Sequence, residues 1–145
     1  MSEPGTGQLL LDTHVWIWLM EGRTELLSRR ARTEIGDASA TGVVFLSAIT
    51  VWEVALLEAR GRLTLRRPIG EWIEELLRAP GARLLPLEPA IAIDSTRLPG
   101  SPHGDPADRI LMGSARITGA RLVTCDARIL NYAGGGHVPV LDARP

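Results

Sequence analysis

Gln8-Leu9-Leu10-Leu11-Asp12 is a short apolar run that stops on a carboxylate. A run of that length without polar alternation suits a strand buried on both faces, as in the middle of a parallel sheet. Working outward, Thr41–Ser47 (with Val43, Val44, Phe45 and Leu46), Arg121–Cys125 and His137–Leu141 repeat the pattern, and Arg83–Leu87 does so more weakly. Segments with helical spacing lie between them, at Glu25–Ile35, Ala48–Ala59, Ile69–Leu77, Pro89–Thr96 and Pro106–Ile117. Alternation of this kind predicts an α/β fold with a largely parallel sheet and helices on both faces. Functional side chains in such sheets collect at the carboxyl ends of the strands. Asp12 and Asp126 stand at two such ends.

The chain has 145 residues, 45% of them hydrophobic, enough for one core. Its densest Gly/Pro stretches, Leu98–Pro106 and Gly134–Gly136, are of loop length, so one domain is expected over residues 1–145, with its core at about 8–141. A formal net charge of −1 excludes a globally basic nucleic-acid coat but leaves room for a local patch. All 16 basic residues are Arg, a skew that base composition explains as well as chemistry does. Cys125 is the single cysteine, so no intramolecular disulfide forms. The apolar runs are too short to cross a bilayer, and Met1–Gly7 carries no Lys or Arg of the kind that opens a signal peptide. A cytoplasmic location is the expectation.

Most of the 17 acidic residues read as helix surface, as Glu71, Glu74 and Glu75 do between Trp72, Ile73, Leu76 and Leu77. Five are harder to dismiss. Asp12 either caps a helix beginning near Thr13 or serves a site. Glu53 lies among Val51, Trp52, Val54, Ala55 and Leu56, where a carboxylate needs a partner, a proton or a cation unless it joins Glu58 on an exposed stripe. Asp105-Pro106-Ala107-Asp108 has the chemistry of a helix start, and Asp126 could open a short helix toward Leu130. If the first and fourth strand runs lie side by side, Asp12, Asp126 and the Asp108 helix start meet at one crevice. Carboxylates gathered there repel one another unless they bind cations or share protons. Oxygen donors without His or Cys favour Mg²⁺ or Mn²⁺, and the matching chemistry is metal-assisted attack on a phosphodiester.

Four motifs in order, Leu9-Leu10-Leu11-Asp12-Thr13-His14-Val15-Trp16, Leu46-Ser47-Ala48-Ile49-Thr50-Val51-Trp52-Glu53, Gly104-Asp105-Pro106-Ala107-Asp108-Arg109-Ile110-Leu111 and Leu122-Val123-Thr124-Cys125-Asp126, resemble the PIN domain, especially its VapC-type toxin branch. The resemblance spans Leu9 to about Leu141. It implies a three-layer α/β/α, Rossmann-like fold with a central, mostly parallel five-stranded sheet. It also implies an Mg²⁺- or Mn²⁺-dependent endoribonuclease that cuts single-stranded or loop regions of RNA as a toxin and is held inactive by a small antitoxin. The family's acidic quartet falls on Asp12, Glu53, Asp108 and Asp126, with Asp12, Asp108 and Asp126 as metal ligands. Asp105 is an additional acid common in the branch. Thr13 stands where members carry a hydroxyl or amide near the first acid, and His14 departs from the commoner Asn or Ser. Thr124 matches a position that helps hold the metal's water. The resemblance further implies a homodimer formed through helices of the first half, with an antitoxin segment across the acidic pocket.

Around this centre, Arg109 could contact phosphate, although pairing with Asp105 is the expectation. Arg62, Arg66 and Arg67 either track an RNA backbone or solvate a loop. His103 and His137 read as bystanders in loops, and Cys125 as a small hydrophobe. Trp16 and Trp18 share one side of an alternating stretch, Trp52 and Trp72 sit on helices, and all four read as core or subunit-interface anchors before base-stacking groups. The alternative to a nuclease is a catalytically weak RNA-binding or protein-interaction module of the same fold. A phosphatase that uses Asp12 as nucleophile is disfavoured by His14, which stands where a second acid is usual. A phosphorylation receiver would want a Lys, and the chain has none.

Overall fold

A computed structural model describes residues 7–145; Met1–Thr6, which bear on the reading of the amino terminus, lie outside the described residues. The strands are β1 (Gln8–Leu11), β2 (Val43–Ser47), β3 (Ala82–Leu85), β4 (Arg121–Thr124) and β5 (Val140–Asp142). They form one sheet in the order β3-β2-β1-β4-β5, and every neighbouring pair is parallel. The helices are α1 (Thr13–Met20), α2 (Arg29–Thr41), α3 (Ala48–Ala59), α4 (Ile69–Leu77), α5 (Pro89–Ser95), α6 (Pro106–Thr118) and α7 (Ala127–Ala133). Three-layer α/β/α architecture follows from how the strand residues alternate. Leu9 and Leu11 of β1 and Val123 of β4 face one cluster with Val15 and Trp16 of α1, Ala31 and Ile35 of α2, Val54 of α3 and Trp72 of α4. Leu10 and Leu122 face the other, with Ile91 of α5, Leu111 and Met112 of α6 and Ile129 of α7. Burying each large side chain contributes about 1.5–3 kcal/mol, and β1 is buried on both faces because it has helices above and below.

The chain builds β1, β2 and β3 outward in one direction, then crosses over to place β4 and β5 on the far side of β1. The reversal falls between β1 and β4, where Leu9 pairs with Arg121 and Leu11 with Val123. This switch point opens the crevice at the carboxyl ends of the strands. Asp12 and Asp126 flank it.

Two local expectations are corrected. The stretch holding Trp16 and Trp18 is helical, because Asp12 caps it by accepting from the Thr13 amide at 2.7 Å and the helix faces the core through Val15, Trp16 and Ile17. Glu25–Ile35 is not one helix. Thr24–Leu26 makes a 3₁₀ turn, Leu27 is extended, and Ser28 caps α2 by accepting from the Ala31 amide at 3.1 Å. Helix α2 then runs on to Thr41, which shortens the following strand to Val43–Ser47. Gly81 brings the start of β3 so close to the end of α2 that a Cβ there would meet the carbonyl oxygens of Ala38 and Gly42.

Candidate metal centre

Asp12 leaves β1 directly into the crevice and is 5% exposed. One carboxylate oxygen accepts from the Thr13 amide at 2.7 Å and the other from the Thr124 hydroxyl at 2.6 Å. The Thr124 oxygen in turn accepts from the Asp126 amide at 3.0 Å, so one hydroxyl joins the two strand-end acids. The Thr124 hydroxyl gives its proton to Asp12 and so orients that carboxylate. Asp126 caps α7 through the amides of Arg128 and Ile129.

Glu53 comes from α3, which packs against α1 and α6. Its carboxylate accepts from the Thr13 hydroxyl at 2.5 Å, so Glu53 turns inward and leaves the exposed stripe to Glu58. Thr13 also lies 3.3 Å from the Thr50 hydroxyl. On α6, Asp105 is the cap that accepts from the Asp108 amide at 2.9 Å, while Asp108 points inward, half-buried. Asp108 meets Nε2 of His103 at 2.7 Å.

Burial pushes the Asp12 carboxyl above its ordinary range, and the charge of Asp108 adds to the rise against the Thr124 hydrogen bond. Burial does the same to Glu53, with Asp108, Asp105 and Asp12 adding repulsion against the Thr13 hydrogen bond. Asp108 is raised by burial and by Asp105 and Asp126, with His103 opposing. The four expected acids and Asp105 therefore act on one another across a single crevice. Among the described residues, no three His, Cys, Asp or Glu side chains already form a ready metal-holding group. The oxygen-only donor set and the unrelieved repulsion nonetheless fit a hard divalent cation, which would lift the cost of holding these carboxylates charged.

The surrounding residues distribute unevenly. Arg109 does not pair with Asp105; its guanidinium donates to the Ser95 carbonyl at 3.0 Å and ties α6 to α5. Arg67 pairs with Glu75, and Arg66 and Arg67 line a groove with Met20, Glu21, Arg23 and Trp72 that includes none of the five acids of the crevice. Arg62 lines a different groove that does include Glu53 and Asp105. His14 is exposed and leans on Trp18, and His137 lies against Tyr132. Trp16 and Trp72 meet edge to face in the core with ring centres 5.6 Å apart, as expected of anchors. Trp52 is 56% exposed in the single chain, outside the core that Trp16 and Trp72 share.

The model of the PIN domain matches residues 9–135, a span that contains Asp12, Glu53, Asp108 and Asp126. The chain belongs to the PIN domain family. This PIN domain is 35% identical over 124 residues to Ribonuclease VapC22 of Mycobacterium tuberculosis, covering 86% of this chain and 91% of that protein. Its fold is similar to that of VapBC2 from Rickettsia felis, solved bound to a DNA fragment from their promoter, with a TM-score of 0.68, 11% identity, and 94% of this chain and 98% of that one covered. A toxin-antitoxin complex from Klebsiella pneumoniae is also similar, with a TM-score of 0.55, 18% identity, and 84% and 89% covered. These structural likenesses establish the fold.

One residue of this PIN domain's acidic centre, His103, escapes a reading of the sequence as a bystander. Its signal was position: it lies two residues before Asp105, in a loop that must turn back over the start of α6. The side chains of His103 and Asp108 are each 14% exposed, and Nδ1 of His103 is buried with no hydrogen-bond partner among the described residues.

Proposed function

We propose that this PIN domain is a metal-dependent endoribonuclease, the toxin of a toxin-antitoxin pair, with Asp12, Glu53, Asp108 and Asp126 as its catalytic acids. The observation that carries the reading is the convergence of these acids at the switch point of the sheet, where burial and mutual repulsion leave them short of positive charge. The 35% identity to a ribonuclease over most of both chains supports it. Asp12, Asp108 and Asp126 would hold the ion, with Mg²⁺ or Mn²⁺ the choices that suit oxygen donors. When bound, the ion supplies charge neutralisation at the phosphodiester and lowers the pKa of an attacking water.

The chain's own residues do the rest. Thr124 and the Thr13 amide fix both oxygens of Asp12, and the Thr13 hydroxyl fixes Glu53. Asp105 sets the start of α6, so that Asp108 leaves the helix toward the crevice. Glu53, whose carboxyl burial pushes above its ordinary range, is the group suited to accept and return a proton. We further propose that residues 1–145 work as one domain in the cytoplasm, as a homodimer, with a small antitoxin protein as partner. No helix among the described residues is long and apolar enough to cross a membrane.

Cleavage of a panel of structured RNAs by the purified protein, with Mg²⁺, with Mn²⁺ and with EDTA, tests the activity. Metal-dependent cutting that disappears in Asp12→Asn and Asp126→Asn is the expected result. A folded wild-type chain that cuts none of the panel in either metal overturns the ribonuclease reading in favour of an RNA-binding or interaction module.

A further inference from the structure

Among the exposed large apolar side chains of the described residues, Trp52 is the most exposed at 56%, and it borders the acidic centre. Its neighbour in sequence, Glu53, turns inward to Thr13, and the helical advance of about 100° per residue sends Trp52 outward. Spacing of four carries the same stripe from Trp52 to Leu56 and on to Arg60 at the end of α3. Gly61 then adopts φ +70°, a left-handed conformation that suits glycine, and the chain doubles back with the Arg62 amide bonded to the Leu57 carbonyl. The result is a groove of about 310 Å³ lined by Trp52, Leu56, Arg60 and Arg62 together with Glu53 and Asp105. That size lies at the lower end of small-ligand sites, about 300–1,000 Å³. Among the described residues, no carboxylate engages the guanidinium of Arg60 or that of Arg62.

We propose that Trp52 is a stacking platform for one base of a single-stranded RNA substrate, with Arg60 and Arg62 holding the adjoining phosphates. The inference rests on the ribonuclease reading and adds a subsite to it. An indole face left in water beside two free guanidinium groups complements a nucleotide, which presents a flat apolar base and an anionic phosphate together. Charge complementarity favours RNA as the occupant, because the two guanidinium groups suit phosphates and no carboxylate among the described residues engages them. Both signs of charge line the groove: the carboxylates repel phosphates that lack a cation, and the arginines attract them. Stacking on the indole requires an unpaired base, which agrees with the single-stranded substrate that the family resemblance implies.

The test is steady-state cleavage of a single-stranded RNA by the full chain in Mg²⁺, with wild type, Trp52→Ala, Trp52→Phe and Arg60→Gln/Arg62→Gln compared by KM and kcat. Removing the stacking from ground and transition states alike raises KM by about fivefold to a hundredfold in Trp52→Ala and leaves kcat nearly unchanged, while Trp52→Phe keeps most of the affinity. Replacing one nucleotide of the RNA at a time by an abasic unit should remove the difference between wild type and Trp52→Ala at one position. The paired arginine substitution should flatten the salt dependence by about 0.7 in log–log slope for each phosphate that is no longer neutralised. A wild-type KM in Trp52→Ala, with wild-type cutting intact, overturns the subsite and leaves the ribonuclease reading standing. An altered sedimentation coefficient in Trp52→Ala with KM unchanged assigns the residue to a protein interface and likewise overturns the subsite. If wild type cuts no RNA, the ribonuclease reading falls and the subsite falls with it.

Discussion

The Thr13 hydroxyl donates to Glu53 at 2.5 Å, joining the first residue of α1 to the middle of α3 across 40 positions of sequence. Thr13→Val keeps the shape and removes the proton, leaving a half-buried carboxylate without its donor. A lost hydrogen bond to a charged group is worth about 1.5–3 kcal/mol, so cleavage in Mg²⁺ should fall roughly tenfold to a hundredfold. Thr13→Ser should retain most of the rate. Equal rates for the valine and serine variants would show that the bond does not matter to the chemistry.

The acidic centre should cost the metal-free fold stability. A carboxyl raised above its ordinary value in the folded chain imposes no penalty below the unfolded value. The penalty grows as pH rises from there through the raised folded value, and it is complete above it. Asp108 starts from 3.8 and is raised, so Asp108→Asn should unfold at a higher temperature than wild type at neutral pH in EDTA, and the difference should vanish in acid. Divalent cations should stabilise wild type, by about 2.7 kcal/mol at a hundred times Kd, and leave the variant much less affected. Thermal melts across pH, with and without Mn²⁺, check both statements.

His103 holds the Asp108 carboxylate at 2.7 Å, and both side chains are largely buried. Groups that orient a metal-binding carboxylate contribute about tenfold to a hundredfold in affinity when removed. His103→Ala should weaken Mn²⁺ binding on that scale in a calorimetric titration, and His103→Gln, which can still donate, should weaken it less. Unchanged or tighter binding in the alanine variant would contradict this role.

Glu34 on α2 accepts from Arg121 on β4 at 2.5 Å and from Arg30 at 3.0 Å, and these bonds hold its carboxyl below the usual 4.5. A depressed value contributes stability above the unfolded value that is lost as pH falls through the folded one. Glu34→Gln should therefore lower Tm at pH 7, with a cost of about 0.5–1 kcal/mol for a partly exposed pair, and the gap from wild type should close in acid. Melts of the two proteins over that pH range provide the comparison.

The strands and the acids were legible because each depended on local chemistry. An uninterrupted apolar run ending in Asp declares a buried strand and a helix cap in the same five residues, and Asp105-Pro106 declares the start of α6. What stayed hidden depended on partners far along the chain or on the direction a side chain takes. Trp16 and Trp18 resemble strand alternation until Asp12 caps the helix beneath them. Arg109 sits four residues after Asp105 yet donates to Ser95, because α5 lies against α6. The roles of Trp52 and Glu53 follow from a single step of helical rotation, and composition cannot say which of the two turns inward.

Thr124 reaches back 112 positions to Asp12. The two sides of the acidic centre are thus joined across most of the sheet's sequence span, and Asp12 gains this partner only when β4 lies beside β1. A nascent chain cannot assemble the full centre until β4 has emerged and paired with β1. Premature termination anywhere before Asp126 yields a product that lacks part of the centre.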